Sequence, residues 1–147
     1  MLNIASDNYR PADLNLRLSS LTVWTSDSVS DTIHPLLEEL QSDLPATGPG
    51  LVVGLTAGSF ENAVDGVARD RSPYVVVRHH PGNLDRDGYV LTHELGHVFG
   101  LDHHSCDDLL CFMADHGYDP EEHWCPEHLE LLGDNAGYFQ YVQDMGL

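Results

Sequence analysis

Apolar and polar positions along this chain form short periodic runs separated by turn-forming residues. Residues 1–13 are polar and read as a loosely held end. Leu14 to Trp24 is rich in apolar and β-branched residues, which predicts a first strand. Between Ser26 and Leu44, the residues Ile33, Leu36, Leu37, Leu40 and Leu44 fall on one face of a helix. Ser and Asp residues are available to cap it, and Pro35 in a first turn marks a later start. Pro45 to Gly50 ends the helix. Leu51 to Leu55 then reads as a short buried strand, and Tyr74 to Val77 as another. Between them, Val64 to Ala68 alternates apolar with small or polar residues, as an edge strand does. Gly58, Ser59 and Gly66 read as turn or bulge residues. Asn83 to Gly88 reads as a turn before a second helix, whose Val90, Leu91, Leu95 and Val98 supply an apolar side. No internal repeat or long linker is visible, so residues 1–147 read as a single domain, with an upper half at about 14–100 and a lower half at about 101–147.

Charge changes the picture more than length does. Asp and Glu total 24 against 6 basic residues, every one of them Arg, for a formal net charge of −18. Such a chain is not expected to bind nucleic acid or an anionic membrane. No apolar run approaches the length needed to cross a bilayer. An acidic surface without Lys suits high salt, where like-charge repulsion is screened, so a halophilic setting is expected. Met1 to Asn8 carries neither a basic region nor an apolar run, so no leader is read there and a cytoplasmic setting is expected. The chain is also expected to be a monomer.

The chemistry is concentrated in one segment. His93-Glu94-Leu95-Gly96-His97-Val98-Phe99-Gly100-Leu101-Asp102-His103 reads H-E-x-x-H-x-x-G-x-x-H. On a helix, His93 and His97 project from one face a turn apart, so two ring nitrogens meet one metal ion. Glu94 is rotated off that face and reaches a water at the metal without being a ligand. His103 lies too far round if the helix continues. Gly100 tolerates positive φ, ends the helix and lets the chain double back. Three protein ligands leave a fourth position open, as in catalytic zinc sites. Surface helices in a chain with 10 His also carry such pairs, but without the fixed Gly and third His. His34, His79, His80, His116 and His123 read as surface residues.

This segment resembles the metzincin clan of zinc peptidases. That resemblance implies a Met in a tight turn beneath the metal, a role matched by Met113. Several metzincin families place a Tyr ligand two residues later, where this chain has Asp115. The clan's edge strand binds extended substrate by strand addition, which falls here on residues 64–68.

All three Cys follow His103. Cys106, Cys111, Cys125 and His128 read C-x4-C and C-P-x-H, four donors suited to a closed tetrahedral zinc site. A Cys106–Cys111 disulfide with Cys125 free is the alternative. An odd Cys count and the missing leader argue against it. His104 is a competing ligand at either centre. The run from the zinc motif into C-x4-C-x-M and then C-P-x-H resembles the archaemetzincins over residues 88–132. It departs from them in two ways: His104 and Ser105 separate His103 from Cys106, and His128 stands where the family has Cys.

The expected fold is therefore α+β, a metzincin-type zincin domain. It has a twisted mixed sheet with an antiparallel edge strand, an active-site helix, a Met-turn and a C-terminal helix. The expected activity is zinc-dependent peptide hydrolysis of a peptide or protein substrate. His93, His97 and His103 would hold the catalytic zinc, Glu94 would act as general base, and Cys106, Cys111, Cys125 and His128 would hold a second, structural zinc. A non-peptidase zinc-binding or sensing protein, or a secreted matrixin- or reprolysin-like protease with a disulfide in place of the second zinc, are the alternatives.

Overall fold

The computed structural model describes residues 1–26, 32–46, 50–58, 60, 64–103, 108–114 and 119–145. Helix α1 is Leu2–Tyr9, followed by a single 3₁₀ turn at Arg10–Ala12. Helix α2 is His34–Asp43, strands β1, β2 and β3 are Val52–Thr56, Gly66–Ala68 and Tyr74–Arg78, and helices α3 and α4 are Leu84–Val98 and Pro126–Met145. The sheet order is β1-β3-β2. Strand β1 lies parallel to β3, pairing Val52 with Tyr74 through Thr56 with Arg78. Strand β2 is antiparallel to β3, pairing Gly66 with Val77 and Ala68 with Val75.

Strand β3 explains its own sequence. Side chains alternate across a strand. Val76 packs with Ile33, Leu36, Leu37 and Leu40 on the α2 side, while Val75 and Val77 pack with Leu91, Leu95 and Val98 of α3. A strand covered on both faces has no polar side, hence the unbroken apolar run.

Several expectations are corrected. Residues 1–13 are not loosely held. Ala5 and Tyr9 are fully buried against α3, and the Tyr9 hydroxyl donates to the Thr92 carbonyl at 2.8 Å. A Cβ at Gly88 would lie 2.7 Å from Ile4, so this glycine lets the two helices touch. Residues 14–24 do not form a strand. Leu14 and Leu16 pack on the core and the Leu16 amide donates to Ser6, whereas Leu18, Leu21 and Val23 are exposed. A strand needs a neighbouring backbone, and this segment is anchored by side chains instead. Residues 83–88 are the first turn of α3 rather than a loop. The Asn83 side chain caps it by accepting from the Arg86 amide, with Asp85 and Asp87 at the positive end of the helix. Helix α2 starts late, with Pro35 in its first turn. Helix α4, the expected C-terminal helix, runs 20 residues. Ser59, His104, Asp115 and His116 lie outside the described residues.

Candidate metal centre

Helix α3 ends as its sequence requires. Gly100 has φ +80°, its amide donates to the His97 carbonyl at 2.8 Å, and the Leu101 amide donates to the Gly96 carbonyl at 3.0 Å. This left-handed cap turns the chain back and buries Leu101. His103 thereby joins His93 and His97. Its Nε2 lies 3.0 Å from the Nε2 of each. Nitrogens bound tetrahedrally at about 2.0–2.1 Å from one zinc lie roughly 3.3 Å apart, so the triangle fits such an ion.

Hydrogen bonding fixes the lone pairs. His93 Nδ1 faces the Phe112 carbonyl at 2.6 Å, and His97 Nδ1 faces the Leu101 carbonyl at 3.0 Å. Carbonyls only accept, so each Nδ1 carries the proton. In the neutral ring, Nε2 of both residues is then an unprotonated donor atom aimed at the common point. Three imidazole nitrogens crowded at hydrogen-bond distance, two of them without hydrogens, suit a cation between them.

Glu94 is buried beside this triangle. Burial pushes its carboxyl up to about 8, against the opposing effect of a hydrogen bond from the Ala68 backbone. Strand β2 lies directly over it. A Cβ on Gly66 would sit 2.6 Å from Glu94 Cγ and 2.7 Å from Oε1, so only glycine allows the strand this close. On the other side of α3, Met113 is fully buried in a tight turn closed by the Ala114 amide to the Cys111 carbonyl at 2.8 Å. A Cβ on Gly96 would meet Met113 Sδ at 2.3 Å. The sulfur therefore packs onto bare helix backbone between His93 and His97.

A second group forms in the lower half. Backbone bonds from Phe112 to His123 at 3.0 Å and from His123 to Leu110 at 2.8 Å bring residues 110–112 beside 123–125. His128 Nδ1 then lies 3.0 Å from Cys111 Sγ and 3.3 Å from Cys125 Sγ. All three residues are buried, and neither cysteine is in a disulfide. Burial lowers the His128 pKa, opposed by a bond to the Asp102 backbone and the charges of Glu127 and Asp102. A neutral imidazole beside two thiols is a soft donor set that fits zinc. Cys106, expected as its fourth ligand, lies outside the described residues, and so does the alternative disulfide through it.

No protein-family model matches the chain. Among solved structures it is similar to the crystal structure of archaemetzincin from Methanopyrus kandleri, at 31% sequence identity and a TM-score of 0.57. The similarity covers 71% of this chain and 64% of that one, so the chain spans a little under two thirds of that protein's length. This chain is archaemetzincin-like. The mixed sheet, the antiparallel edge strand and the α+β organisation expected from sequence are those of the archaemetzincin fold.

In this archaemetzincin-like chain the structure brings together every described residue named from the motifs: His93, His97 and His103 in one group, Cys111, Cys125 and His128 in the other. Glu94 and Met113 flank the first group. Sequence reasoning missed Gly96, although a glycine inside an otherwise apolar-faced helix is itself a sign of close approach. It also read His79 and His80 as surface residues, yet both bond to the buried Asp87. Among the described residues, no helix is long and apolar enough to cross a membrane.

Proposed function

We propose that the chain is a zinc-dependent peptidase that cleaves peptide bonds with Glu94 as general base. The observation that carries this reading is the convergence of three histidine Nε2 atoms, with the Nδ1 protons of His93 and His97 committed to carbonyls. His93, His97 and His103 hold the ion. Zinc held by them would supply a Lewis acid for a carbonyl oxygen and lower the pKa of a water there to ~7. Glu94 takes a proton from the attacking water and returns it to the leaving amine. An extended peptide adds along β2, whose outer edge borders Glu94. Cys111, Cys125 and His128, with Cys106 as fourth ligand, hold a second zinc that ties residues 108–128 together. The acidic, Lys-free composition supports work at high salt.

Glu94→Ala tests this. Hydrolysis of a peptide library is expected to fall by about 10²–10⁴-fold while metal content stays unchanged. Retained hydrolysis in that variant sinks the reading.

A further inference from the structure

The site depends on strand β2 keeping its place. Gly66 must lie under 3 Å from Glu94 at its missing Cβ, and the Ala68 backbone must reach the same carboxylate. Side chains alternate along a strand, so a slip of one residue would put Val67 where Gly66 stands. Yet β2 has only three residues and, among the described residues, pairs with β3 alone. Something beyond the ladder must fix its register.

The residue before β2 is Asp65, and a dense polar cluster holds it. Asp65 Oδ1 faces His80 Nε2 at 3.1 Å, and Oδ2 accepts from Arg86 Nε at 2.9 Å and from Arg86 Nη2. Arg78 Nη1 lies 3.9 Å from Asp65 Oδ1, and the Arg78 amide donates to the Asp65 carbonyl at 2.7 Å. Two of the chain's six basic residues are thus committed to one aspartate. The other ring nitrogen of His80 faces Asp87 Oδ1 at 2.9 Å, and the His80 amide donates to that oxygen at 2.9 Å. His79 Nδ1 bonds Asp87 Oδ2 at 2.6 Å. Asp87 is 1% exposed and belongs to α3, the helix that carries His93, Glu94 and His97.

His80 therefore joins the start of the edge strand to the metal helix through one rigid ring. Carboxylates only accept, so both bridges close together when both ring nitrogens carry hydrogen. Asp65, Asp87, His79, Arg78 and Arg86 are the charged or titratable groups around it. A ring bonded at both ends fixes distance and orientation, which a flexible side chain does not.

We propose that His80, bridging Asp65 and Asp87, is a positioning residue that sets the register of β2 over Glu94. It touches neither Glu94 nor the three histidines through any described contact, so it acts through the strand. This rests on Glu94 being the general base.

The test compares wild type with His80→Gln and Asp65→Asn, each loaded with zinc. In both variants kcat for an extended peptide is expected to drop about tenfold or more, with KM changing less than threefold. Amide exchange at Val67 and Ala68 is expected to quicken by a similar factor, in metal-free protein as well. Exchange within α3 stays unchanged. A variant with kcat and exchange at wild-type values overturns the proposal, as does one whose α3 exchange quickens equally, because that reports general loosening. If wild type cleaves no peptide, the proposed function fails. The exchange arm still decides the bridge, and Asp65→Asn serves if His80→Gln does not fold.

Discussion

The three histidines and the Cys–Cys–His group are made of similar donors in different surroundings. His93, His97 and His103 are only partly buried, and β2 lies against Glu94 beside them. Cys111, Cys125 and His128 are sealed inside the lower half. The first cluster is shaped by backbone bared for close approach: Gly66 against Glu94, and Gly96 of α3 against Met113. The second is shaped by backbone that binds it in, through the bridge between Cys111 and His123. The first group is reached by solvent and the second is not. On the proposed function, a metal in the first group would serve chemistry, and one in the second would serve folding.

The largest expected effect separates the two. Cys125→Ser should lower the thermal midpoint by about 10 °C or more, because the buried group loses its metal and the lower half its tie. His97→Ala should abolish hydrolysis while shifting that midpoint by only a few degrees. Calorimetry and metal analysis on both variants check this, and equal destabilisation would erase the distinction drawn here.

Gly96→Ala is next. Its Cβ would overlap Met113 Sδ, so one of the two must move. Overpacking of this kind costs about 1–3 kcal/mol, seen as a lower denaturant midpoint. Because Gly96 adjoins His97, a companion loss of metal affinity is expected. Met113→Ala in the same background should recover part of the midpoint, since the overlap is then gone.

Acid gives the smallest effect and isolates the support of the first group. Burial raises the Asp87 pKa, but bonds from His80 and His79 outweigh it, and the net shift is downward. Its folded value lies below the unfolded ~3.9, so its stabilisation is complete above about pH 4 and is lost as pH falls through the folded value. In metal-free protein, Asp87→Asn should flatten the stability curve below about pH 4, and an unchanged acid limb would remove Asp87 from the support of α3.

Local chemistry was the part most legible in sequence. The Gly100 turn follows from one residue's freedom at positive φ, and the His and Cys spacings follow from helix and loop geometry. Strand β3 and helix α2 were equally plain, since each carries a periodic apolar run. Helix α1 was not, although Leu2, Ala5 and Tyr9 fall at helical spacing. Asn, Ser and Asp among them mask a short apolar face that matters only once α3 supplies its partner. Residues 14–24 misled for the opposite reason: strand-like composition without a neighbouring strand. The pairing of His80 with Asp65 and Asp87 was hidden because those residues meet only when the sheet edge folds onto α3.

The docking of α1 has a kinetic side. Its hydrogen bonds to Thr92 and from Trp124 span 83, 84 and 116 residues. Loops that long close slowly, and nothing rewards them until both distant surfaces exist. The aromatic cluster of Tyr9, Phe99 and Trp124 is accordingly expected to form late in folding. Contacts made after the rate-limiting barrier leave the speed of folding nearly untouched and govern how long the native state survives. On that expectation the first nine residues are a latch whose strength sets the lifetime of the folded site rather than the time needed to reach it.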